Sequence, residues 1–307
     1  MEGHRVLAGT LFFIPDFAAA KSHSEQAIAL YDKEQRSARA ELFPNPPGLV
    51  CRLLRSHILW ILGYADQARQ QCYEALSLAR KLSHPSNIIY ALAWTSTLHQ
   101  FRQEAKETQA IVEEELILLS EQRIPVWQGA AAIVQQWALA MQGQQAGAIE
   151  GIHEGLATYR ASGSENMRSY FLSMLAEVGA VSGQITEGQR AISEALIGVE
   201  DSGIRYHEAE LHRLKGELLL LSRVQEQQVY DQEEAETCFH RAIYIAQQQK
   251  AKSWELRAAM SLARVWQQQG KRPEAHQMLS GIYNWFTEGF DTPDLKNAKA
   301  LLDELQN

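Results

Sequence analysis

The chain has 307 residues, 46% apolar and 21% charged, with a formal net charge of −8; this balance suits a folded protein and excludes a disordered one. The acidic excess argues against nucleic acid as the main partner, because such binding needs basic surface to displace counterions. Ala, Leu, Gln, Glu and Arg fill the stretches between clustered prolines, and runs of Val, Ile and Thr are nearly absent, so the expected fold is all-α.

In chain order, the first predicted hairpin pairs helices near 3–14 and 16–31. Its run Val6 to Ile14, followed by Pro15, Asp16 and Ala18-Ala19-Ala20, mimics a signal peptide. The repeat register explains the same residues better, so the expected location is cytoplasmic. Leu11, Phe12, Phe13 and Phe17 lie close together without the polar outer face that an end repeat needs. This hairpin, within 1–48, is therefore expected to be looser, to lack flanking repeats or to mediate self-association. Further pairs fall near 49–62 and 65–82, 86–101 and 104–122, 126–142 and 145–161, and 167–182 and 185–200. Two more lie near 205–222 and 233–249, and 252–269 and 272–287. The final segment, 292–306, starts on Thr292-Pro293-Asp294, a cap followed by proline and an acid in the first turn. Leu295, Ala298, Leu301, Leu302 and Leu305 give it one apolar stripe, opposite Lys296, Asn297, Asp303 and Glu304, as a capping helix requires.

A repeat of about 40 residues organises these pairs. Small residues recur at Ala20, Ala68, Thr108, Ala148, Gly188, Ala235 and Ala275. The two wider steps hold the loop around Pro44, Pro46, Pro47 and Gly48 and the polar insertion from Arg223 to Glu233. Four residues later stand Cys72, Val112, Ile152, Ile192, Phe239 and Leu279, with Ser24 the exception. Twelve residues earlier, in most repeats, comes a second, largely small column: Ala8, Ser56, Ser96, Gln136, Ala176 and Ala263, with Gly216 in the repeat that holds the insertion. Gly63, Gly143, Gly183 and Gly270 fall between the columns, where each chain reversal needs a left-handed residue. Helices approach to roughly 8–10 Å only where small side chains meet, and a lone hairpin cannot bury its apolar face. The pattern resembles tetratricopeptide repeats: a right-handed superhelical solenoid of about seven hairpins with a capping helix, in a single domain spanning 1–307.

Several chemistries are weighed and set aside. His207 and His212 are five apart, about 140° around a helix, so they cannot share a metal as a zinc-protease pair does. His99 and His240 lack partners at ligand spacing. No GxSxG elbow or GxxxxGK[ST] loop occurs. Cys51, Cys72 and Cys238, odd in number and without CxxC spacing, read as buried free thiols in a reducing compartment. Glu113, Glu114 and Glu115 read as a solvated helix face, and so does the basic stretch Lys250, Lys252, Arg257, Arg264, Lys271 and Arg272. The seven tryptophans read as packing residues. No run is long enough to cross a membrane as a helix. The chain is therefore expected to be no enzyme and to hold no metal or cofactor.

In stacked hairpins the first helix of each pair lines the concave face. Residues following the small first-helix column should point there: His57, Thr97, Trp137, Glu177, Glu217 and Arg264. Nearby on the same helices come Trp60, Tyr90, Tyr170, Arg213, Met260 and Gln267, with Arg257 beside them. A groove mixing aromatics with both charge signs suits a peptide or partner helix.

The segments Ser253-Trp254-Glu255-Leu256-Arg257-Ala258-Ala259, Gln269-Gly270-Lys271-Arg272 and Tyr283-Asn284-Trp285-Phe286-Thr287-Glu288-Gly289-Phe290-Asp291-Thr292-Pro293-Asp294-Leu295 carry a more specific likeness. Glu208 to Leu220, and Leu62-Gly63-Tyr64 followed by Ala68, share it. These segments resemble the C-terminal helical-repeat region of large bacterial regulators that join a nucleotide cyclase or DNA-binding domain to a signal-transducing ATPase of the STAND type. The likeness implies a sensing or partner-binding arm whose chemistry lies upstream, either detached from a larger protein or standing alone. The expected function is a non-catalytic scaffold or sensor that binds a protein or peptide. The alternative is a solenoid that holds a small molecule and regulates an attached ATPase or cyclase.

Overall fold

The computed structural model describes residues 1–34, 45–122, 124–226 and 231–306. Among these residues there are fifteen helices and no strand. The first eight are α1 (Glu2–Phe13), α2 (Phe17–Glu34), α3 (Pro47–Ile61), α4 (Ala65–Leu82), α5 (Pro85–Phe101), α6 (Ala105–Glu121), α7 (Pro125–Met141) and α8 (Ala148–Ala161). The rest are α9 (Arg168–Val181), α10 (Ile185–Ser202), α11 (Glu208–Glu226), α12 (Asp231–Gln248), α13 (Lys252–Gln268), α14 (Arg272–Tyr283) and α15 (Pro293–Gln306). Helices pair in chain order as seven stacked hairpins, and α15 packs on the last. The loop expected around Pro44 and the insertion from Arg223 lie partly outside the described residues. Where they are described, α3 already starts at Pro47 and α11 runs on to Glu226.

The small column sits at the helix crossings. Ala20, Ala68, Thr108, Ala148, Gly188, Ala235 and Ala275 are all buried, as are Ser24, Cys72, Val112, Ile152, Ile192, Phe239 and Leu279 one turn on. At Gly216 a Cβ would lie 2.5 Å from the buried Phe239 ring. Five of the hairpin turns share one geometry. Gly63, Gly143, Gly183 and Gly270 have φ of 98°, 87°, 71° and 78°, and Gln103 takes the same place with φ 59°. In each, the next N–H donates to the carbonyl five residues back, as Tyr64 does to Leu59 and Glu104 to His99. That bond closes the helix end around a left-handed residue.

The coil comes back on itself after five hairpins. Arg205 N–H donates to the Phe13 carbonyl at 2.8 Å, joining hairpin six to hairpin one. The Ser253 hydroxyl donates to the Trp60 carbonyl at 2.5 Å, joining hairpin seven to hairpin two. The first hairpin's aromatic residues are therefore partly covered within the chain: Phe12 and Phe17 are buried, and Phe12 lies 4.9 Å from the Tyr206 ring. Val6, Leu7 and Ile14 stay exposed. In α15 the stripe Leu295, Ala298, Leu301, Leu302 and Leu305 is buried, and the Thr292 hydroxyl accepts the Leu295 N–H.

Candidate functional site: the inner face and its remaining cavity

The concave face is mostly a core. Trp60, Phe101 and Trp254 meet on the superhelix axis, with Trp60 4.6 Å from Trp254 and Phe101 5.4 Å from it. Arg257 lies against both indoles, 5.0 Å from the Trp60 ring and 5.2 Å from the Trp254 ring. Its guanidinium donates to Asp294 at 2.9 and 3.0 Å and to the Phe101 carbonyl, and reaches Glu210 at 3.6 Å. Arg213 donates to both Glu210 oxygens, at 2.7 and 2.9 Å, and lies 3.4 Å from Glu217, which accepts the Ser261 hydroxyl. Burial works against the Glu210 carboxylate, but Arg213 and then Arg257 outweigh it and hold its pKa at about 2. A second branch adjoins this cluster: Trp137 N–H donates to Glu177 at 2.7 Å, Gln100 donates to Glu177 at 3.2 Å, and the Tyr170 hydroxyl donates to Gln100. Burial, then the charge of Glu210, raises Glu177.

The residues assigned to the groove thus separate. Trp60, Trp137, Tyr170, Glu177, Arg213, Glu217 and Arg257 converge on the axis. The expectation of an open peptide groove is corrected for Trp60, Trp137, Tyr170 and Arg257, which are buried, because α13 closes against α3 and fills the channel. His57 is buried too, edge-on to Trp94 at 4.7 Å, and burial lowers its pKa to about 4. Arg264 is exposed and Gln267 half-buried, and no bond ties either to this cluster. Arg257 therefore does not belong to a solvated basic face. Nor do the two histidines of α11 and its lead-in share surroundings. His207 is buried, 5.0 Å from Trp254 and within 3.0 Å of the Ser173 hydroxyl, while His212 is half-buried.

Tyr90 stands apart from the axis. It lines a cavity of about 410 Å³ between α1, α3, α5, α7 and α9, closed by Tyr159 of α8 and the turn before α9. Phe13, Trp94, Trp127, Tyr159 and Phe171 supply its aromatic walls, and Arg5 and Asn166 its polar edge. The volume falls in the range of small-molecule sites. Sequence reasoning missed all but Tyr90, because the cavity forms where five first helices and a turn converge. Its inner end contains Glu115, which is 1% exposed, so the solvated-face reading of that acidic run is corrected at Glu115. Among the described residues no group of three or more His, Cys, Asp or Glu could hold a metal ion, and no helix is long and apolar enough to cross a membrane.

No protein-family model and no curated protein matches the sequence. Solved structures do resemble the chain. A tetratricopeptide repeat protein from Parabacteroides merdae matches with TM-score 0.51 and 12% identity, over 100% of this chain and 98% of that one. The apo form of RapI matches with TM-score 0.58 and 10% identity, over 99% and 98%. A signal-transduction ATPase with numerous domains and a tetratricopeptide repeat sensor, from Pyrococcus horikoshii, matches with TM-score 0.50 and 11% identity. That match covers 94% of this chain and 46% of the ATPase. Likeness at such identities establishes the fold: the chain is a tetratricopeptide-like helical-repeat solenoid.

Proposed function

We propose that the chain is a non-catalytic sensory solenoid whose inner-face cavity receives a small ligand. The observation that carries this reading is the closure of much of the inner face by Trp60, Phe101, Trp254 and Arg257, beside which the described residues leave an aromatic cavity near Tyr90. Its sequence likeness to regulator arms, and the ATPase with a repeat sensor among its structural neighbours, support a place in a larger signalling ATPase or cyclase, in the cytoplasm. The test is a thermal-shift screen of metabolites on the full chain. A ligand at a hundred times its dissociation constant adds about 2.7 kcal/mol. Gly9 lines the cavity with open space at its Cβ, so Gly9→Trp should fill the recess and abolish the shift. Shifts that survive Gly9→Trp would place the ligand elsewhere.

A second reading, a protein partner, is favoured by the outer face. Ile117, Ile197 and Tyr244 are 68%, 63% and 54% exposed. Each stands nine residues after its repeat's small residue, so they form one apolar stripe across α6, α10 and α12. Ile117→Glu with Ile197→Glu should weaken partner capture without changing helicity. Self-association would instead use Val6, Leu7 and Ile14, and Leu7→Glu should then lower the sedimenting mass.

A further inference from the structure

Helix α6 turns Thr108, Val112, Glu115 and Leu119 inward, and all four are buried. Seven residues after the small crossing position, the other hairpins carry Ala27, Ala75, Gly155, Ala195, Ala242 and Ile282. Glu115 is the one charged member of that column. A local break with a repeat's own packing rule is expected at functional positions.

Glu115 Oε1 is buried without a hydrogen-bond partner. Glu115 lines a slot of about 20 Å³ with Trp94, Ser96, Thr97 and Trp127, room for one water-sized group. The Ser96 and Thr97 hydroxyls both donate to the Ala93 carbonyl, so neither donates to Glu115. Trp94, Trp127, Ala130, Met167 and Phe171 line both the slot and the 410 Å³ cavity, which makes the slot its inner end. We propose that the cavity binds a small molecule bearing a primary ammonium on an aromatic or branched apolar stem, the ammonium pairing with Glu115 in the slot.

The chemistry of the site matches that ligand. An ammonium is about the size of a water and brings three donors to an acceptor that has none. Indole faces attract a cation within about 6 Å, and Trp94 and Trp127 flank the slot. The aromatic outer cavity takes the stem. A lysine of a peptide is disfavoured, because the inner face beyond the cavity closes at Trp60, Phe101 and Arg257 and leaves the peptide no path onward. Burial raises the Glu115 carboxyl well above the ordinary range, and an ammonium seated beside it would offset that burial by favouring the carboxylate.

The inference rests on the cavity being the ligand site, and the experiment separates the two. Calorimetric titration at pH 7 would use phenethylamine, tryptamine and isoamylamine, each beside its neutral alcohol isostere, on wild type, Glu115→Gln and Gly9→Trp. The expected result is that at least one amine binds wild type tenfold or more tighter than its alcohol. Glu115→Gln should erase that preference and retain the alcohol, and Gly9→Trp should bind neither. If alcohols bind and are blocked by Gly9→Trp, but no amine is preferred or the preference survives Glu115→Gln, the ammonium assignment falls and the cavity site stands. Absence of binding by every probe would overturn both. An acetyl-Leu-Lys-Leu-amide peptide that bound as tightly as the amines would overturn the small-molecule assignment.

Discussion

Glu288 and Asp66, 222 residues apart, clasp each other: Glu288 Oε1 accepts the Asp66 N–H at 2.9 Å, and the Gly289 N–H donates back to Asp66 at 2.9 Å. The same Glu288 oxygen accepts the Gln67 N–H at 3.0 Å. The first N–H groups of a helix have no partner inside it, and Tyr64 at the N-cap of α4 supplies no side-chain bond. The loop after α14 therefore caps α4 from the far end of the chain.

Glu288→Ala should cost about 1–2 kcal/mol, the scale of a lost cap, and speed hydrogen exchange at the Asp66 and Gln67 amides. A double-mutant cycle with Asp66→Ala should show coupling. Strict additivity with unchanged exchange would mean that the clasp contributes nothing in solution.

The turn register makes a second prediction. Gln103 holds φ 59° where the sister turns have glycine, and the left-handed region costs an L-residue about 1–2 kcal/mol. Gln103→Gly should raise the urea midpoint by an amount worth about 1 kcal/mol. Gly63→Ala should lower it, because φ is 98° and the new Cβ would meet the Trp285 ring at 2.6 Å. Equal and opposite shifts are not required, but a destabilised Gln103→Gly protein would show that the side chain matters more than the backbone.

Arg257 pairs with Asp294 while packing against two indoles. Arg257→Ala leaves Asp294 and Glu210 short of a cation near the axis and should cost about 3–5 kcal/mol. Arg257→Lys should recover little, since an ammonium lacks the flat fork that stacks and bonds at once. Adding Asp294→Asn to Arg257→Ala should restore part of the loss in thermal denaturation. A full rescue by lysine would show that charge alone suffices.

The histidines set the acid side of stability. His57 and His207 are buried and their pKa values fall from 6.5 to about 4, in both cases through burial. The unfolded chain thus takes up protons first as pH drops. Stability should be full above pH 6.5 and decline toward pH 4, by about 3 kcal/mol for each histidine. Glu104 and Glu210, held near 2, contribute their stability in full above about pH 4.5 and lose it only as pH falls from there toward 2. Glu115 acts in the opposite sense, because its raised pKa means stability is lost as pH rises past the ordinary carboxylate range. Urea midpoints from pH 4 to 8 should show His57→Gln or His207→Gln flattening the acid slope, and Glu115→Gln gaining most at pH 8.

The hairpins were legible in the sequence because their cause is local. Ala148 or Gly188 at a crossing, Ile152 or Ile192 one turn on and Gly143 or Gly183 at the reversal recur at a spacing any reader can count, and each acts on its own helix or the next. The same register points Trp60, Trp137, Glu177 and Arg257 inward, and the structure buries Trp60, Trp137 and Arg257 there. Whether the axis would be open was beyond it.

That question depends on how far each hairpin rotates against its neighbour, a small angle that accumulates over five repeats until Ser253 reaches Trp60 and Glu288 reaches Asp66. No periodicity records a contact made once, between residues some two hundred positions apart. Glu115 shows the same division: the column seven residues after each crossing singles out the third acid of Glu113-Glu114-Glu115. Only the packing of α6 against its neighbours decides that this carboxyl loses its water and keeps an unpartnered oxygen. Composition and repeat spacing determined the helices and their crossings; the closure of the coil alone decided which inward residues became core and where a cavity was left.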